Sequence, residues 1–164
     1  MLLKEGLEKG FVEPTEYTKR LTIDGITKPY QIYKIRLDQL FYNDQNDRIA
    51  TWINKYKEEH DIEHFENYDD DYNEIIEKFI YESNSKAIDK TQKNIELVGQ
   101  REAGVVLNDG RVIDGNRRYT CLRRLYNNGN SHRHFEAVIL DRDINVNKKE
   151  IKLLELRDRK STRL

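Results

Sequence analysis

The segment from Gly104 to Leu125, GVVLNDGRVIDGNRRYTCLRRL, gathers the residue types that hold an anion. Val105-Val106-Leu107 and Arg111-Val112-Ile113 flank Asn108-Asp109-Gly110 as a hairpin pattern, and Asp114-Gly115-Asn116 opens a helix running to about Asn128. A helix N-terminus presents unpaired N–H groups at the positive end of its dipole, which favours an anion. Gly115 lacks a Cβ, so a ligand can approach the backbone there, and Asn116 is a capping residue type. Arg117 and Arg118 stand in the first turn, where a cation opposes the dipole. Arg118 shares a face with Leu122 and Leu125, so it is expected to point inward or into a cleft. A buried guanidinium needs a carboxylate or a phosphate. A structural pair with Asp114 is one solution. A bound phosphate is preferred, because it satisfies the helix end and the arginines together. Arg123 and Arg124 are assigned to solvent or to a partner surface.

Other elements must position this corner. Residues 1 to 10 read as a short amphipathic helix using Leu2, Leu3 and Leu7, stopped at Gly10. Lys19 to Leu37 reads as strand, folded into a hairpin at Asp24-Gly25. Phe41 to Arg48 is a polar turn with an aromatic entry. Ile49 to Glu59 is a helix with Ile49, Trp52, Ile53 and Tyr56 on one face. A helix from about Tyr72 to Glu82 buries Ile75, Ile76, Phe79 and Ile80. Ser83-Asn84-Ser85 breaks it, and Ala87 to Gly99 is helical again through Ile88, Thr91, Ile95 and Val98. Phe135 to Leu140 is a last strand and Lys148 to Arg159 a last helix. This order argues an α+β fold with a small mixed β-sheet flanked by helices.

The whole sequence sets limits on function. Its 164 residues suit one domain, and 36% of them are charged against a usual share of roughly 25%. No stretch approaches the roughly 20 apolar residues of a membrane span, and Lys4, Glu5, Glu8 and Lys9 interrupt any leader-like run. The lone Cys121 excludes an internal disulfide and a Cys-rich zinc site, so a cytoplasmic setting is expected. The formal net charge is -1, without the basic excess of a freestanding DNA-binding domain. Yet the charges segregate. Glu58 to Glu82 holds eleven acids and one base, while Arg111 to Arg133 holds six arginines and one acid, Asp114. Two solvated faces of opposite sign are the simplest reading.

The Asp-Gly-Asn-Arg-Arg run at 114–118, placed after a strand hairpin, resembles the signature of the ParB/sulfiredoxin-like superfamily. ParB-type partition proteins carry Gly-Glu-Arg-Arg there, sulfiredoxins Gly-Cys-His-Arg, and related serine kinases Asp-Gly-His-His-Arg. Gly115 and Arg118 fit all three. The upstream Tyr33 to Leu40 and Asn43-Asp44-Gln45-Asn46-Asp47-Arg48 are similar to the family's strand and its Asn-Pro-x-Gln-Pro-Arg turn, with Asp44 and Asp47 replacing both prolines. Glu155 and Arg159 keep the spacing of its Glu-Asn-x-x-Arg helix, although Leu156 replaces the Asn. The resemblance spans residues 20 to 160 of a single domain comprising residues 1–164. It divides into first strands and polar turn (20–60), an acidic helical insertion (61–102), and the hairpin-helix with the C-terminal helix (104–164).

The resemblance implies a nucleoside triphosphate, CTP or ATP, with Mg²⁺. Gly115, Asn116, Arg117 and Arg118 would cradle phosphate, Arg48 and Arg159 would reach it, and Glu155 would help hold the metal. Asp114 and Glu155 are the candidates for any hydrolysis. Thiol chemistry is set aside, because Asn116 stands where sulfiredoxins have their cysteine. Further expectations are DNA engagement through regions outside this chain, a homodimer, and membership of a longer bacterial or mobile-element protein.

Two functions compete with nucleotide binding. A metal-dependent nuclease would use the arginine-rich segment on a phosphodiester backbone, with His132, His134 and Asp141 as a loose constellation. A non-catalytic interaction module would dock a basic partner on Glu58 to Glu82. His60 and His64, four apart, have metal-ligand spacing but no evident third ligand. Tyr30, Tyr33, Tyr42 and Tyr56 are candidates to stack on a base.

Overall fold

A computed structural model describes residues 2–129 and 131–161, with side chains as far as residue 155. The chain is α+β, a six-stranded mixed sheet with helices on both faces. Strands β1 (Val12–Ile23) and β2 (Ile26–Arg36) form a long hairpin, turned at Asp24 and Gly25. Both turn residues have positive φ, as a two-residue hairpin loop following the sheet twist requires. The strand starts well before Lys19, because Val12 to Pro14 continue the pairing beyond an irregularity between Pro14 and Thr18. Polarity hides this stretch from a hydrophobic pattern: Glu13, Pro14, Glu16 and Tyr17 lie on the sheet edge.

The remaining strands are β3 (Phe41–Tyr42), β4 (Gly104–Leu107), β5 (Arg111–Asp114) and β6 (His134–Leu140), in the order β1-β2-β6-β4-β5-β3. Pairings β6–β4 and β5–β3 are parallel; the other three are antiparallel. The central strands are buried on both faces, which explains their unbroken apolar runs. Val106, Val112, Phe135, Ala137 and Ile139 face one core, and Val105, Leu107, Ile113, Val138 and Leu140 face the other.

On the first face pack α2 (Ala50–Glu59), α3 (Asp70–Ser83), α4 (Ser85–Val98) and α5 (Asn116–Asn127), through Ile53, Ile76, Ile80, Ile88, Ile95, Tyr119 and Leu122. The other face is covered by α6 (Lys148–Ser161) through Ile151 and Leu154. The N-terminal segment folds as a 3-10 turn and a short helix, α1 (Gly6–Lys9), and of its leucines only Leu3 is buried. Ile49 and Ile53 carry the inner face of α2, whereas Trp52 is 36% exposed, contrary to its expected place on that face. The i, i+4 pair Ile49 and Ile53 is buried and Trp52 is left partly outside because the helix touches the core along one edge.

The opposed charge segments meet inside the chain. Arg123, assigned above to solvent or a partner, is buried: its Nε donates to Glu77 at 2.9 Å, and Nη2 lies 3.5 Å from Asp70. Arg124 stacks on Tyr81 at 4.0 Å, donates to Gln92 at 2.7 Å, and lies 3.7 Å from Asp89. Helix α5 therefore binds the acidic insertion by charge as well as by apolar contact.

Candidate functional site

The helix α5 begins where β5 ends. Gly115, its N-cap, has φ 97°, a left-handed conformation that side-chain-bearing residues rarely adopt. A Cβ there would lie 3.0 Å from Phe135 Cζ and 3.2 Å from the Gly104 Cα. The turn is thus shaped for glycine by both backbone angle and a crossing strand. No side chain caps α5, and its first turn carries no acid.

Four expected site residues meet at this corner. Arg48, Asn116 and Arg117 line one cleft together with Asn46, and Gly115 sets the turn that brings Asn116 and Arg117 to it. Ile49, Ile80 and Ile88 supply the apolar part of the wall, and Ser83 and Asn84 complete it. Among the described residues no carboxylate lines the cleft. Asn116 is 6% exposed, and its Nδ2 is buried without a hydrogen-bond acceptor among the described residues. A buried donor left unpaired costs roughly 1–3 kcal/mol, so an acceptor that reached Asn116 Nδ2 would relieve that cost. The enclosed space is about 10 Å³, close to one water, so a phosphate enters only as the walls yield.

Arg118 turns elsewhere. Its Nη1 lies 3.6 Å from Glu102 Oε2, and Lys19 Nζ donates to the other oxygen of that carboxylate at 3.3 Å. Its expected inward orientation holds, since the side chain is 15% exposed, but the acid it meets comes from the loop before β4. Nε and Nη2 of Arg118 are buried without hydrogen-bond acceptors among the described residues. Arg159 lies on α6 beyond the described side chains.

Glu155 reaches the polar turn from the opposite face of the sheet. Asn43 Nδ2 donates to its Oε1 at 2.7 Å, and Lys152 Nζ to its Oε2 at 3.2 Å. Lys152 also donates to the Gln45 carbonyl at 2.6 Å and lies 3.2 Å from Asp47. The turn is pinned to α6 from one side, then, and to the cleft from the other. Asn46 Oδ1 accepts from the Arg48 amide at 2.9 Å, capping the 3-10 turn that leads into α2. Lys152 supplies the countercharge at the carboxylate where the resemblance places Mg²⁺. Among the described residues no three His, Cys, Asp or Glu come together in a metal-holding group. Asp114 is buried at the end of β5, the strand against which α6 packs.

The short strand β3 leads into the turn and is held by side chains instead of a further strand. Asn73 Oδ1 accepts from the Tyr42 amide at 3.1 Å, and its Nδ2 donates to the Leu40 carbonyl at 3.0 Å. Tyr72 donates to the Tyr42 carbonyl at 2.7 Å, and Tyr119 to Leu40 at 3.0 Å. Tyr42 itself is fully buried against Thr120, 2.8 Å away, and burial pushes its hydroxyl well above the usual range. It is unavailable to stack on a base. The insertion helix α3 therefore fixes the turn that carries Arg48, a role invisible in a sequence where Asn73 stands among acids.

Other residues with potential chemistry settle into structure. Cys121 is buried, donates through Sγ to the Ile88 carbonyl at 3.4 Å, and has its thiol pushed up to about 12 by burial. His60 stacks on Tyr56, with centroids 3.9 Å apart, and bonds its carbonyl. Arg111 lies beside the stacked rings of Phe41 and Tyr68, its guanidinium carbon 5.1 Å from each centroid. No helix among the described residues is long and apolar enough to cross a membrane. Comparison with family models, curated proteins and solved structures finds no match to this chain in any of the three.

Proposed function

We propose that this chain is a ParB/sulfiredoxin-like domain that binds the phosphate groups of a nucleoside triphosphate, CTP or ATP, at the N-terminus of α5. The observation that carries this reading is the cleft itself: Arg48, Asn116 and Arg117 converge on it, and among the described residues no carboxylate lines it and a buried amide donor in it lacks an acceptor. The turn at 43–48 also links two segments far from it in sequence, the start of α5 at the cleft and Glu155 on the opposite face of the sheet. The turn at 43–48 shares the cleft with the start of α5 and a 2.7 Å hydrogen bond with Glu155. These are the segments that carry the family resemblance.

In this reading Asn116 Nδ2 and the first-turn amides of α5 donate to a phosphate oxygen, while Arg48 and Arg117 supply charge. Glu155 is a positioning residue, holding Asn43 and hence the turn. Neither Asp114 nor Glu155 lines the cleft, so no hydrolytic step is assigned to them, and none is routed through a metal. The nuclease alternative is weakened, because Arg111, Arg123 and Arg124 are turned toward rings and carboxylates of the chain itself.

Thermal denaturation with CTP, ATP and tripolyphosphate, with and without Mg²⁺, tests the proposal. A ligand at a hundredfold excess over Kd adds about 2.7 kcal/mol and raises Tm measurably. Asn116→Asp, which sets a carboxylate in the cleft, should abolish the rise. No shift with any of the three would overturn the reading.

A further inference from the structure

The cleft is bounded on its far side by the elbow between α3 and α4. Asn84 and Ile88, the N-cap and a first-turn residue of α4, line it opposite Asn116 and Arg117, the first residues of α5. Two helix N-termini, of fourteen and twelve residues, thus share one small space. Neither first turn carries an acid; α4 has Lys86 and α5 has Arg117 and Arg118. The neighbouring α3 does the opposite, with Asp69 as its cap and Asp70 and Asp71 following. Two positive dipole ends bordering one cleft repel each other, and Lys86 in the first turn of α4 adds to that repulsion. Asn84 Oδ1 answers only one amide, that of Ala87, at 3.3 Å.

We propose that the α3–α4 elbow is part of the phosphate site, with Asn84 as a ligand-contacting residue and the amides of Ser85 and Lys86 as donors, a reading that rests on the proposed phosphate site at α5; the Ser83 hydroxyl donates to the Ile80 carbonyl and only borders the site. The ligand chemistry is a tetrahedral phosphate, either the terminal group of a nucleotide or free inorganic phosphate. One phosphate seated between the two N-termini is attracted by both and accepts from Asn116 Nδ2 at the same time. The insertion then does more than cover the sheet, because it closes the site and answers to its occupant.

Asn84→Asp separates the two roles of this residue. Aspartate caps a helix as well as asparagine and suits the dipole, so the fold is retained. It also places a carboxylate in the cleft, so affinity for tripolyphosphate and for inorganic phosphate, measured by calorimetry on the full chain, should fall at least tenfold. Asn94→Asp, the same change at an exposed position of α4 outside the cleft, should stay within about threefold of the unaltered chain. In the unaltered chain, either probe should slow hydrogen exchange at the amides of Ser85 and Lys86 as well as at those of α5, and the probe that does so identifies the source of the phosphate. Unchanged affinity in Asn84→Asp beside lost binding in Asn116→Asp would overturn the role of the elbow and leave the α5 site standing. Protection confined to α5 would do the same, and it decides the matter if Asn84→Asp fails to fold. Absence of binding to the unaltered chain would overturn both.

Discussion

Asn116 is the residue at which stability and binding oppose each other. Its buried amide donor has no acceptor within the described chain, and that omission costs roughly 1–3 kcal/mol. Asn116→Leu, near in volume and without polar atoms, should therefore stabilise the chain by about 1 kcal/mol in urea denaturation while removing any thermal response to triphosphate. A loss of stability would show that the amide is satisfied in solution. Cys121 illustrates the opposite case, a reactive residue type made inert. With its thiol pushed up to about 12, it should react with a disulfide reagent only as the chain unfolds, and labelling rates should follow global opening. Prompt stoichiometric labelling at neutral pH would contradict the burial. The family's cysteine position had already been excluded from sequence, since Asn116 occupies it. That Asn116 stays unpaired was not legible, because its surroundings come from segments 30 to 70 residues away.

Helix α5 and the hairpin before it were legible in outline, because Val105–Leu107, Asn108-Asp109-Gly110 and the apolar spacing from Tyr119 to Leu125 are local signals. The entry to the helix shows what such signals leave out. At Gly104 a Cβ would meet the Asp114 carbonyl at 2.5 Å and Phe135 Cζ at 2.4 Å, so β4 approaches β5 and β6 too closely for any side chain. Gly104→Ala should cost more than Gly115→Ala, because a backbone carbonyl cannot move aside as a side chain does. Gly115→Ala should still cost about 1–3 kcal/mol, through its positive φ. Paired urea titrations check the order, and a cheaper Gly104→Ala would mean that the sheet relaxes there. The edge strand β3 was read only as an aromatic entry to a turn. Two residues give no periodicity, and apart from its pairing with β5 the strand is bonded by Asn73 and Tyr72, with Tyr119 holding Leu40 just before it.

Across the molecule, the arginine-bearing helix pairs with part of the acidic insertion, within a chain whose formal net charge is -1. Breaking a buried pair leaves an uncompensated charge, so Arg123→Ala should cost about 3–5 kcal/mol, and Arg123→Met, which refills the space, distinctly less if Glu77 takes up a proton. Equal losses would point to packing as the sole role of the side chain. Burial pushes the Glu77 carboxyl above its ordinary value, with Arg123 pulling the other way. A carboxyl whose value is raised on folding contributes stability below its unfolded value, and that contribution is lost as pH rises through the folded value. The stability advantage of the unaltered chain over Glu77→Gln should hence shrink as pH increases above about 4.5; growth with pH would show that pairing outweighs burial. Sequence alone determined the α+β class, most element positions and the segregation of charge, because apolar period, turn residues and composition are properties of neighbouring residues. Tertiary structure alone decided which arginines are spent on the chain's own acids, which way Arg118 turns, and that Asn46, Asn84 and Asn116 share one cleft. Those outcomes depend on distances between segments far apart along the chain, and residue order by itself carries no measure of such distances.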